Sequence, residues 1–152
     1  LNLQSSDDVR TAYARIVGSA PGRSAFVQRM APKGQEIIVG ARRDDQFGPL
    51  LMVGLGGIYV ETLRDVAFRL APLCPADARD MLGETAAGRI LAGLRGVPPA
   101  DVDAVVDTLC RLGQLVSDFP CIAEMDINPL FVDVAGSGVW AVDVRIALDG
   151  QP

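Results

Sequence analysis

Glu124, Asp126 and Asn128 occupy alternate positions in Glu124-Met125-Asp126-Ile127-Asn128, and Asp143 interrupts an apolar run further on. Alternate side chains of an extended strand project to one side, so the first three present oxygens on a common face. The runs Cys121 to Val134 and Val139 to Leu148 flank Ala135-Gly136-Ser137-Gly138, a turn-rich segment suited to a hairpin. Opposed residues in an antiparallel pair have a constant index sum, and an odd sum puts Asn128 and Asp143 on one face as direct or diagonal neighbours. Carboxylates and an amide oxygen held that close repel unless a cation lies between them. Hard oxygen donors with water positions left open suit Mg²⁺ carrying phosphates. The same residues could equally form the wetted face of an edge hairpin, and spacing alone leaves both readings open. Pro129 cannot donate to a ladder, so it bends the strand after Asn128 or sets it at an edge.

Two further features could touch a ligand. Gly54-Leu55-Gly56-Gly57 frees the backbone of side-chain constraint and could cradle phosphate with N–H groups, but it lacks a P-loop ending and is not a dinucleotide fingerprint, so a structural turn explains it as well. Glu36 lies inside an apolar run, as a ribose acceptor or an edge carboxylate would.

Composition removes several chemistries. The chain has no histidine, which excludes Ser-His-Asp, Cys-His and His-ligated metal mechanisms run by this polypeptide alone. Its net charge of -5, its one lysine (Lys33) and its scattered arginines argue against a sequence-independent grip on nucleic acid. Apolar stretches fall short of a membrane span and no signal pattern opens the chain, so no membrane and a cytoplasmic location are expected. Cys74, Cys110 and Cys121 show no paired spacing and read as small buried hydrophobes.

The positioning elements follow from periodicity. Ser5, Ser6 and Asp7 precede helical spacing that predicts a helix near Asp7 to Val17. Ser24 to Met30 and Gln35 to Arg42 read as neighbouring antiparallel strands around the turn Ala31-Pro32-Lys33-Gly34. Leu50 to Val53 and Val66 to Leu70 read as strands, Pro75 to Met81 and Arg89 to Leu94 as helical patches. Val102, Val105, Val106, Leu109, Leu112, Leu115 and Val116 mark an amphipathic helix ending near Phe119-Pro120. In the last strand Val139, Ala141, Asp143 and Arg145 are expected on one face, and Trp140, Val142, Val144 and Ile146 on the other, towards the core. The expected class is α/β (α+β), a largely antiparallel sheet flanked by helices, in a single domain over residues 1–152.

Val27-Gln28-Arg29-Met30-Ala31-Pro32-Lys33-Gly34-Gln35-Glu36-Ile37-Ile38-Val39-Gly40, Asp44 to Pro49, Gly54 to Glu61, Asp65 to Leu73, Glu124 to Leu130 and Ala141 to Arg145 occur in an order that resembles the ATP-grasp domain of NDP-forming acyl-CoA synthetases, relatives of the succinyl-CoA synthetase β subunit. The resemblance runs from about Phe26 to Leu148 and implies the carboxyl-terminal ATP-grasp subdomain. It implies ATP or ADP with Mg, and conversion of acid, CoA and ATP to acyl-CoA, ADP and phosphate through a phosphohistidine. Residue by residue, Asn128 and Asp143 look like magnesium ligands, and Asp126 like the carboxylate that meets the travelling histidine. Gln28 to Met30 look like the hinge beside adenine, and Glu36 like a ribose acceptor. Arg42, Asp44, Gly56, Gly57 and Glu61 fall in blocks near the phosphates or the domain interface, without assigned roles. The amino-terminal ATP-grasp subdomain and the CoA-binding and phosphohistidine domains are the expected partners, are absent from this sequence, and leave this part inactive alone. The alternative is a non-catalytic synthetase-like module regulating a protein lysine acetyltransferase.

Overall fold

A computed structural model describes residues 2–20, 22, 24–56, 65–94 and 96–150. The chain divides into two compact units, Leu1–Ala31 and Pro32–Pro152.

The first unit holds α1 (Ser6–Ser19). Its start is a capping box: the Asp8 N–H donates to Ser5 Oγ at 3.1 Å and the Ser5 N–H donates to the Asp8 carboxylate at 3.0 Å. Residues 24–34 have no regular secondary structure, which corrects the strand expected over Ser24 to Met30. Phe26 and Val27 are 87% and 70% exposed. Their apolar character favours a strand only where a neighbouring strand pairs with it, and none does so among the described residues.

The second unit is a sheet with helices on one face. The strands are β1 (Gln35–Asp44), β2 (Gly48–Leu55), β3 (Val66–Leu70), β4 (Ile122–Val132), β5 (Val139–Ala141) and β6 (Val144–Leu148). Their order is β3-β2-β1-β4-β5, with β6 also on β4, and every pairing is antiparallel. β1 and β2 form a hairpin closed by Asp44, whose carboxylate accepts from the Gln46 and Phe47 N–H groups. Those two donors hold the Asp44 carboxyl below its usual range.

Between β3 and β4 run α2 (Pro75–Gly83), α3 (Ala86–Leu91) and α4 (Val102–Asp118), which carry the chain across to the far side of β1. The stripe read for α4 buries Val105, Val106, Leu109, Leu112 and Val116. These pack with Ile37, Val39, Ala41, Leu51, Val53, Met125, Ile127, Leu130 and Val132 into one core. Asp101 caps α4 by accepting from the Ala104 N–H at 3.1 Å, and its other oxygen accepts from Gly138 in the β4–β5 turn at 2.8 Å. The Gly138 and Ala104 N–H groups pull the Asp101 carboxyl below its ordinary pKa. At the other end of α4, the Arg43 guanidinium donates to the Val116 carbonyl at 2.6 Å. Cys74 and Cys121 are exposed and Cys110 is half-buried, so the reading of three buried cysteines is corrected. Cys74 sits at the start of α2 and Cys121 in the turn before β4, where backbone position rather than side-chain apolarity decides exposure. Among the described residues no helix is long and apolar enough to cross a membrane.

Candidate functional site

Because Ile37, Val39 and Ala41 of β1 point into the helix-covered core, Glu36, Ile38, Gly40 and Arg42 point the other way. The same alternation puts Leu50, Met52 and Gly54 of β2, Val66, Phe68 and Leu70 of β3, and Glu124, Asp126 and Asn128 of β4 on that outer face. None of α2, α3 and α4 covers it, and Phe68 and Leu70 are 48% and 49% exposed.

Asp126 is half-buried, opposite Gly40 on one side and Arg145 on the other. The β4–β6 register pairs Asp126 with Arg145 and Ile127 with Val144, so the index sum is 271 and odd. Asn128 and Asp143 are therefore direct partners, and the Asn128 N–H donates to the Asp143 carbonyl at 3.0 Å. Asn128 is half-buried and Asp143 exposed. Asp126, Asn128 and Asp143 thus share the outward face of the sheet.

The expected alternation along one strand from Val139 to Leu148 is corrected. Residues 142–143 separate β5 from β6. Leu130 pairs with Ala141 and Val132 with Val139, which turns Val139 and Ala141 to the core side, whereas Arg145 lies outside. Trp140 faces outward opposite Phe131, while Val144 and Ile146 take the helix side opposite Ile127 and Met125. The cause lies in β4: Ile37 pairs with Leu130 but Val39 with Ile127, so Asn128 and Pro129 together oppose Ile38 in a bulge. The Asn128-Pro129 peptide is cis. Pro129 bends an interior strand here and does not mark an edge.

Glu36 is exposed on the outer face beside Phe131, and its carbonyl accepts from the Gly56 N–H at 3.1 Å. At the glycine run it is the chain itself that lies close against the backbone. A Cβ on Gly56 would lie 2.8 Å from the Ile37 carbonyl carbon, and one on Gly54 would lie 2.6 Å from the Asp65 carbonyl oxygen. Gly57 and Glu61 lie outside the described residues. Gln28 and Met30 belong to the first unit, in its segment without regular structure. Arg42 is exposed opposite Glu124. Asp44 closes the β1–β2 turn, as described above.

Among the described residues no three His, Cys, Asp or Glu side chains are grouped to hold a metal ion. One amide and one carboxylate on paired positions instead fit Mg²⁺, which keeps several waters and takes its remaining ligands from phosphate. Two surface depressions lie elsewhere, one lined by Lys33, Pro98 and Val134, the other by Phe119, Ile146 and Leu148.

This fold is that of a known class: the chain belongs to the ATP-grasp domain family, whose model matches residues 1–148. Within that class it is similar to acetate–CoA ligase (ADP-forming) I of Archaeoglobus fulgidus, 46% identical over 93% of this chain and 22% of that protein. The β subunit of acetate–CoA ligase (ADP-forming) II of Pyrococcus furiosus is 44% identical over 99% of this chain and 67% of the subunit. Acetyl-coenzyme A synthetase 1 of Ca. Korarchaeum cryptofilum, solved with coenzyme A and Mg-AMPPCP and with its phosphohistidine segment pointing towards the nucleotide binding site, superposes with a TM-score of 0.88 at 44% identity, over 97% of this chain and 66% of that one. The chain thus spans about a fifth of the Archaeoglobus protein and two thirds of the Pyrococcus subunit.

Proposed function

We propose that this chain forms one wall of the magnesium–nucleotide cleft of an ADP-forming acid–CoA ligase, which converts acid, CoA and ATP to acyl-CoA, ADP and phosphate through a phosphohistidine. The observation that carries this reading is the register: Asn128 and Asp143 are paired across β4 and the chain leading into β6, on a face that no helix of the second unit covers. They would hold Mg²⁺, which would neutralise the charge of the nucleotide phosphates. Asp126, on the same face, would accept a hydrogen bond from the far N–H of the incoming imidazole and offset the positive charge that the ring gains on phosphorylation. Gln28 and Met30 would lie beside adenine, Glu36 would accept from the ribose hydroxyls, and Gly56 and Gly57 would border the phosphates.

Phosphoryl transfer depends on positioning and charge neutralisation from both sides of the nucleotide, so the remaining ATP-grasp subdomain and the CoA-binding and phosphohistidine domains are needed for turnover. The relatives above are ligases or ligase subunits, and they lend no support to a regulatory module beside an acetyltransferase. The test is calorimetric titration of Mg-ADP into the complete ligase that contains this chain. Asn128→Ala and Asp143→Ala should each weaken binding at least tenfold in the presence of magnesium, on the order expected for a disturbed metal site. Unchanged affinity in both variants would remove the reading.

A further inference from the structure

The described arginines differ in what they touch. Arg10, Arg69, Arg79 and Arg111 each pair with a carboxylate, and Arg43 caps the end of α4. Arg145 is exposed and faces Asp126 directly across the β4–β6 ladder. Among the described residues its guanidinium makes no ion pair or hydrogen bond. Its donors are therefore available to a ligand on the face that carries Asn128 and Asp143.

We infer that Arg145 is a catalytic residue of phosphoryl transfer, its guanidinium holding the non-bridging oxygens of the phosphoryl group as it leaves the nucleotide; this rests on the reading of the face as a magnesium–nucleotide site. In that step the bond from Pγ to the β-phosphate oxygen breaks and its electron pair stays on ADP. A P–N bond forms to the imidazole nitrogen of a histidine supplied by another domain, because this chain has none. Negative charge spreads over the three equatorial oxygens while the attacking and leaving atoms stay in line. A guanidinium meets that charge with a planar fork of donors, stays protonated at working pH and does not compete as a nucleophile.

Position selects Arg145 over Arg42. Arg145 lies two residues along the ladder from the Asn128–Asp143 pair, about 7 Å at a rise of ~3.3 Å per residue, within the span of a phosphoryl group and an arginine side chain. Arg42 is one rank further along the sheet, opposite Glu124. The two flanks of Asp126 also differ. On the β1 side stands Gly40, where even a Cβ would lie 3.7 Å from Asp126 Cβ and 3.6 Å from Met52 Cε. The Met52 side chain therefore packs over the β1 flank, and the cation stands on the β6 flank.

The experiment uses the complete ligase and labelled ATP, and measures single-turnover formation of acid-labile phosphate at saturating Mg-ATP alongside Mg-ADP affinity by calorimetry. Arg145→Ala should slow transfer by roughly 10²–10³-fold, the scale for removing one preorganised electrostatic contact, while Mg-ADP affinity changes much less and Arg145→Lys recovers part of the rate. Transfer at the parent rate in Arg145→Ala, or a loss of rate matched by an equal loss of Mg-ADP affinity, overturns the inference. Asn128→Ala and Asp143→Ala run beside it: if they stop transfer and Arg145→Ala does not, only the arginine role falls. If they too transfer at the parent rate, the site itself falls.

Discussion

The two faces of the sheet in the second unit are built from the same strands and have opposite characters. On the helix side, Leu51, Val53, Val39, Ile37 and Leu130 are at most 1% exposed and touch α2, α3 and α4 through a continuous apolar core. On the outer side, Gly40, Asp126, Asn128, Arg42 and Arg145 alternate with exposed Phe68 and Leu70. A period of two thus lets one residue serve stability and its neighbour remain available for chemistry. Substitutions on the two faces should accordingly separate melting from turnover.

The largest effect is expected outside. Asp126→Asn in the complete ligase should slow histidine phosphorylation by roughly 10²-fold, about 3 kcal/mol of barrier, with the melting temperature unchanged; a variant that melts early instead would erase the distinction between faces. Inside, Leu109→Ala should lower unfolding free energy in urea by about 3 kcal/mol, because Leu109 is fully buried against the sheet. Gly56→Ala probes the border between the two characters. Its new Cβ would press on the backbone of Ile37, so a loss of about 1–3 kcal/mol is expected from overpacking, read from the urea midpoint.

Asp101 sharpens the comparison from a third side, since it ties α4 to the turn leading into β5. Asp101→Ala should cost about 1 kcal/mol, the usual worth of an N-cap. Its folded pKa is lowered, so its contribution is complete above the unfolded value near 3.9 and disappears as pH falls through the folded value. The stability gap between the parent and Asp101→Asn should therefore be flat above about pH 5 and shrink below about pH 4. The smallest effect belongs to Phe68→Ser, exposed on the outer face, which should change stability by under about 0.5 kcal/mol.

Much of this was legible in the residues. The α4 stripe, the capping of α1, the closing turn of the last hairpin and the odd register joining Asn128 to Asp143 all follow from local pattern. What escaped depended on partners remote in sequence. Residues 24–30 carry strand-like apolarity, but a strand needs a neighbour, and composition does not say whether one exists. Val139, Trp140 and Ala141 take the faces opposite to those expected, whereas Val144 and Ile146 keep theirs, because the interruption lies across the ladder at Asn128-Pro129 and counting along their own strand cannot detect it. Arg145 could have been singled out by register alone, since the sum that pairs Asn128 with Asp143 also pairs it with Asp126.

The bulge at Asn128-Pro129 and the break at 142–143 occur together, so the index sum stays 271 on both sides while the inward residues change parity. The chain lengths on either side of that joint are consequently locked to each other. Deleting one residue between Ala141 and Val144 would rotate all of β6, carrying Arg145 to the helix side and Ile146 to the outer face. At this joint residues can be added or removed only in compensating pairs.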